Sequence, residues 1–142
     1  MKIGNQTISI SYLLVQIGKL RRNKSNILLA DAGIHEGQDI LLYYLSLEEG
    51  QTISSLAEKM CNRPATVSTT IDRMIVAGLI TKEQDKADKR TSRIFLTQPG
   101  KEAYKKVKRI WKEMEARIVS NLTDEELHSL GRILSRIQMN LS

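Results

Sequence analysis

The sequence predicts a mainly α-helical chain with one small β-hairpin, and three observations carry that reading. Apolar residues recur at intervals of three and four along most of the 142 residues, the period of helices that bury one face. That period gives way to two short runs, Leu79-Ile80-Thr81-Lys82-Glu83 and Ser92-Arg93-Ile94-Phe95-Leu96, which read as strands. Helix start and stop signals fall at the joints, at Thr52, Pro64, Gly78, Thr97 and Thr123. The expected order is helix, helix, helix-turn-helix, β-hairpin, long helix, helix.

The first helix is expected over residues 7–30. Ile10, Leu13, Leu14, Ile17 and Leu20 share a stripe that Ile27 and Leu28 continue, leaving Lys19, Arg21, Arg22 and Lys24 outside. Asp31-Ala32-Gly33 breaks it. A second helix follows over residues 36–47, with Ile40, Leu41, Tyr44 and Leu45 inward and Glu49-Gly50 at its end. Thr52 is placed to cap a short helix over residues 53–60, in which Leu56, Ala57 and Met60 face inward. Cys61-Asn62-Arg63 makes a tight turn. Pro64 opens the next helix, where its fixed φ is favourable and its missing N–H costs nothing. That helix runs to Ala77, and Gly78 is its natural terminator. The hairpin has an exposed tip over residues 84–91. Thr97 then caps a long helix over residues 98–121, with Ala103, Val107, Ile110, Met114 and Ile118 on one face. Thr123 and Glu126 form a capping box for the last helix, which spaces Leu127, Leu130, Leu134, Ile137 and Leu141 three and four apart.

The length suits a single intertwined domain, divided into an N-terminal helix (1–34), a central lobe (35–97) and two C-terminal helices (98–142). The stripes on the terminal helices have no obvious partners in so small a lobe. Either they pack on each other and on the core, or they pair with a second copy of the chain. The near-heptad spacing favours the second, with Ile10, Leu14, Ile17, Leu127, Leu130, Leu134, Ile137 and Leu141 forming the dimerisation region.

Composition narrows the setting. The formal charge of +6 fits a polyanionic partner, although many basic proteins have none. One cysteine permits no intrachain disulfide, residues 1–10 are too polar for a secretory leader, and no apolar run approaches the roughly 20 residues of a membrane span. A cytoplasmic chain with no membrane partner is the expectation.

At 100° per residue, the helix starting at Pro64 turns Val67, Ile71, Met74 and Ile75 inward. Ala65, Thr66, Thr69 and Arg73 face outward, with Ser68 on the flank. Small hydrogen-bonding side chains near an N-terminus let a helix approach a major groove closely, and Arg63 and Arg73 suit backbone positioning. Taken alone, the segment is more simply an ordinary amphipathic helix. The hairpin alters that balance, because Lys86, Lys89, Arg90 and Arg93 sit on a projection placed to reach an adjacent minor groove. Asp85 and Asp88 there suit a structural role, holding the arginines by hydrogen bonds.

These segments resemble the MarR family (multiple-antibiotic-resistance regulators). The likeness rests on Gln51-Thr52-Ile53-Ser54-Ser55-Leu56-Ala57, Val67-Ser68, Ile71-Asp72-Arg73-Met74 and Ala77-Gly78-Leu79-Ile80. Asp85, Asp88, Arg90, Ile94-Phe95-Leu96-Thr97 and Gly100 are similar to that family's wing and the glycine after it. The family's usual Ser or Thr cap before the recognition helix is replaced by Arg63, preceded by Asn62. The resemblance implies a winged helix-turn-helix and a sequence-specific transcriptional regulator of repressor type. It also implies a homodimer reading a pseudo-palindromic operator in double-stranded DNA, with Arg90 at the minor groove and affinity modulated by a small-molecule effector. Tyr12, His35, Tyr43 and Trp111 are candidates to line the effector pocket, although each suits a core, interface or helix-capping role. Cys61 reads as a small buried residue. His35 and His128 lie far apart with no ligand cluster, so neither a metal nor a cofactor is expected. No nucleophile–base pair, phosphate loop or paired carboxylates support an enzyme. A winged-helix module that binds protein instead of DNA is the rival, and the basic wing is what argues against it.

Overall fold

Two short strands precede the first helix in the computed structural model, which describes residues 2–3 and 6–142. Residues 1, 4 and 5, part of the expected N-terminal segment, lie outside the described residues. Strand β1 (Lys2–Ile3) pairs antiparallel with β2 (Gln6–Thr7), where a helical start is expected. Helix α1 (Ile10–Asp31) begins later because Ser9 is extended and its hydroxyl accepts the Tyr12 N–H at 3.0 Å.

The chain forms two compact units, Met1–Ile110 and Trp111–Ser142. In the first, α2 (Gln38–Leu47) follows Gly37, whose φ of +90° is left-handed. The Gln38 side chain accepts the His35 N–H at 3.1 Å, and the Gln38 N–H donates to the His35 carbonyl. The turn thus uses the His35 backbone, and the expected cap by its side chain is not made. Strand β3 (Gln51–Thr52), too short to show any periodicity, leads into α3 (Ile53–Met60), with the Thr52 hydroxyl accepting the Ser55 N–H at 3.1 Å as expected. Helix α4 (Pro64–Val76), strand β4 (Ile80–Gln84) and strand β5 (Ser92–Leu96) follow, and helix α5 (Gln98–Ile118) starts in this unit and ends in the second. The sheet order is β3-β5-β4, antiparallel throughout, with Ile80 opposite Leu96 and Gln51 opposite Ile94.

The core of this unit is aliphatic. Leu41, Leu42 and Leu45 of α2 are fully buried, as are Leu56 of α3, Val67, Ile71 and Met74 of α4, and Ile94 of β5. Helix α3 packs on α2 and α4, and α4 packs on β4. Ile75 is a correction: at 36% exposed it sits on the flank of α4, because Ile71 and Met74 already span the inward arc. Ile40 is likewise exposed, and Leu42 takes its inward place. Among the described residues every buried side-chain nitrogen and oxygen has a hydrogen-bond partner. No described helix is long and apolar enough to cross a membrane.

Where the hairpin meets α5, the Thr97 hydroxyl accepts the Gly100 N–H at 3.0 Å and donates to the Gly78 carbonyl at 2.6 Å. A Cβ on Gly100 would run into the Leu79 carbonyl oxygen. The glycine is a packing requirement, since that carbonyl also accepts the Thr97 N–H at 3.1 Å and cannot retreat freely. Gly100→Ala is therefore expected to cost about 1–3 kcal/mol and to lower the melting temperature by several degrees. An unchanged thermal unfolding curve would contradict this packing.

In the second unit, α6 (Asp124–Leu141) carries the expected capping box. The Glu126 N–H donates to the Thr123 hydroxyl at 3.2 Å and the Thr123 N–H to the Glu126 carboxylate at 2.8 Å. Asn121, with φ +64°, lies in the link between α5 and α6, and α5 ends at Ile118, short of the expected 121. No residue of α6 is buried, and Leu134 is 43% exposed. In the first unit Ile10, Leu14 and Ile17 of α1 are exposed as well.

Candidate nucleic-acid interface

The turn into α4 is set by backbone conformation. Cys61 is left-handed (φ 53°, ψ 37°), and Pro64 occupies the first turn of α4 after an extended Arg63. Arg63 makes no side-chain cap, so the family's capping hydrogen bond is absent and proline does the pre-organising. Cys61 is exposed, which corrects its reading as a small buried residue. Beyond the turn, Ala65, Thr66, Thr69 and Arg73 are exposed along one face of α4, and Ser68 is half-buried on its flank. The Thr69 hydroxyl donates to the Ala65 carbonyl at 3.0 Å. Its proton is thus spent on the helix, leaving oxygen lone pairs and a methyl group outward, which suits base amino groups and thymine methyls.

The wing is a braced loop. Asp85 accepts the Ala87 N–H at 2.9 Å through one oxygen and the Arg93 Nε–H at 3.0 Å through the other. Asp88 accepts the Arg90 N–H at 3.0 Å and the Thr91 hydroxyl at 3.2 Å. The Gln84 side chain donates across the loop to the Lys89 carbonyl at 2.6 Å, and the Arg93 Nη1 donates to the Gly50 carbonyl at 2.8 Å. These bonds fix the loop and leave Lys86, Lys89 and Arg90 exposed at its tip, with no ion pair among the described residues. Arg93 differs from them. It ties the wing to the start of β3 and acts as a strut more than as a contact residue.

The Ala87 N–H, then the Arg93 guanidinium, holds the Asp85 carboxyl below its ordinary value of 3.8. A carboxylate with a depressed folded pKa contributes order that is complete above the unfolded value and lost as pH falls through the folded one. Wing order should therefore be independent of pH above about 5 and loosen only below about 4. Amide exchange at Ala87 measures this, and Asp85→Ala should accelerate it at neutral pH. Equal protection in the variant would remove the brace.

The expected pocket residues do not come together around the cavity found beside α4. That cavity, of about 420 Å³, is lined by α1, α2, the turn after α3 and α4, and includes none of Tyr12, His35, Tyr43 or Trp111. Tyr12 and His35 are exposed, the Tyr43 ring lies 5.2 Å from that of Tyr44, and Trp111 belongs to the second unit. Among the described residues no cluster of His, Cys, Asp or Glu could hold a metal ion. Sequence reasoning missed Gly50, Gln84 and Glu49, whose carboxylate accepts the Leu96 N–H at 3.0 Å. Only Gln84 carried a local signal, as a polar residue at the edge of the tip.

A helix-turn-helix with an exposed second helix, followed directly by a hairpin, defines a winged helix-turn-helix protein. Residues 37–92 match the model of the MarR family. The uncharacterized HTH-type transcriptional regulator YybA of Bacillus subtilis is 26% identical over 91% of this chain and 88% of its own. The HTH-type transcriptional repressor Rv2887 of Mycobacterium tuberculosis is 22% identical over 90% of this chain and 92% of its own. The structure of S. aureus MepR in complex with DNA superposes with a TM-score of 0.86 at 26% identity, over 94% of this chain and 99% of that one. The winged helix-turn-helix segment thus matches the MarR family, and the chain is similar to HTH-type transcriptional regulators and to MepR over nearly its whole length.

Proposed function

We propose that this protein is a cytoplasmic MarR-type repressor that binds a pseudo-palindromic DNA operator as a homodimer. The observation that carries the reading is the braced wing, which holds three unpaired basic side chains outward directly after a helix with a small-residue face. Arg63, Ala65, Thr66, Ser68, Thr69 and Arg73 would address the major groove and its flanking phosphates, while Lys86, Lys89 and Arg90 would address the adjacent minor groove. Arg93 supports that contact from behind. The central lobe (35–97) would be the DNA-binding part, and the helices on either side (1–34 and 98–142) would join two copies. The protein is a regulator and not an enzyme.

Modulation by a small molecule follows from the dimeric design. An effector that prefers a spacing of the two lobes unsuited to the operator lowers DNA affinity by the same factor that DNA lowers its own. Selection of bound sequences from a random duplex pool, using the full chain, tests the whole reading. The expected product is a two-fold-related site retained in a mobility shift by a complex containing two protomers. A pool that shows no enrichment would overturn it.

A further inference from the structure

We propose that the polar cleft between α1 and the flank of α4 seats a phosphate of the operator backbone, with Arg21 as its cation. The inference rests on the DNA-binding reading above and extends the interface to a helix otherwise assigned to dimerisation.

Thr66 and Thr70 lie on one flank of α4, four residues apart, and both line the cavity of about 420 Å³. Thr66 also borders the outward face formed by Ala65, Thr69 and Arg73. A helix is about 10–12 Å wide and a major groove about 12 Å, so a helix seated in the groove brings each flank against a phosphate strand. The strand running along the Thr66 and Thr70 flank would pass the mouth of this cleft. Asn62 at the turn and Arg21 and Arg22 of α1 line the same opening.

The two arginines are not equivalent. Arg22 lies 3.4 Å from the Glu36 carboxylate, which also accepts the Asn26 side-chain amide at 3.3 Å, so its charge is answered within the cleft. Asp39, the other acid in the lining, is buried. Arg21 is exposed and makes no ion pair among the described residues, leaving it as the uncompensated cation at the opening. The Thr70 hydroxyl donates to the Thr66 carbonyl at 3.2 Å, so the Thr66 hydroxyl and the Asn62 amide are the neutral donors beside it.

The salt dependence of DNA affinity tests this. Removing one phosphate-binding cation should flatten the slope of log K against log salt by about 0.9, hence about 1.8 for Arg21→Gln in both protomers of a dimer. Affinity should fall by a similar factor for operator and for unrelated duplex, since a bond to the DNA backbone carries no sequence information. Lys19→Gln is the charge-matched control: it lies two residues earlier, on the other side of α1, and is absent from the cleft lining. An unchanged slope in Arg21→Gln overturns the proposal, as does an equal change in Lys19→Gln, which would indicate only a diffuse field. Titration with inorganic phosphate separates a free anion from DNA. Phosphate binding that Arg21→Gln abolishes while leaving the DNA slope intact also overturns it. A wild-type chain that binds no DNA at any salt would overturn the underlying reading as well, whereas a wild type with a normal slope isolates the failure to the cleft.

Discussion

Replacing Arg90 with alanine is expected to weaken operator binding by about 100-fold or more while leaving the fold intact. A hydrogen bond to a charged group is worth about 1.5–3 kcal/mol, a dimer loses two of them, and each 1.4 kcal/mol is a factor of ten. A narrow minor groove adds to the figure through its stronger negative potential. The fold should not respond, because the loop uses only the Arg90 backbone N–H, bonded to Asp88 at 3.0 Å, and an alanine keeps that bond. The brace from Asp85 to Arg93 and on to Gly50 is equally untouched. Mobility shift and thermal unfolding measured together check both halves. Arg90→Lys should recover only part of the affinity, since an ammonium keeps the charge but not the planar fork. An unchanged shift in Arg90→Ala would remove the wing from the interface.

Elements whose cause lies within a few residues were legible in the sequence. Thr52, Pro64, Thr97 and Thr123 each act on a helix that starts beside them, and each does so in the structure. The two wing strands showed themselves because alternation changes abruptly after Gly78. What could not be read is what depends on distant partners. The Arg93 bond to Gly50 spans 43 positions and the Glu49 bond to Leu96 spans 47, and no local pattern marks either one. Arg93 therefore looked like another wing cation, when most of its hydrogen bonding is spent inside the lobe.

The cavity beside α4 was hidden in the sequence for a related reason. Aromatic residues were the visible candidates in a sequence with few of them, but the cavity beside α4 is walled mainly by polar side chains from α1, α2 and α4. No single helix declares such a wall, because each of its residues looks like an ordinary solvated position. Gly100 shows the opposite case. The family resemblance pointed to it without a reason, and its closeness to the Leu79 carbonyl supplies one.

Charged substitutions in the terminal stripes are expected to separate the protein into monomers and thereby to weaken operator binding severely. Helix α6 is amphipathic yet buries none of its residues within its own unit, and α1 exposes Ile10, Leu14 and Ile17. A stripe of this size left in water marks an association surface. Burying each large aliphatic side chain is worth about 1.5–3 kcal/mol, so even a few from each copy outweigh the entropy of association. A carboxylate forced into that stripe must be desolvated without a partner, which costs more than the missing methyl groups. Leu134→Glu should therefore shift the light-scattering mass from about twice 16.1 kDa to 16.1 kDa. Ile17→Glu should do the same from α1. Each monomer retains its own wing and recognition helix and can hold one half-site. Losing one of two half-sites removes about half the binding free energy, a fall of about 1,000-fold or more for a typical operator. Phosphate-dominated binding to unrelated duplex should fall far less, because it needs no fixed spacing between lobes. A Leu134→Glu protein that still scatters as a dimer would place the interface elsewhere, and the exposed leucines of α6 would then need another partner.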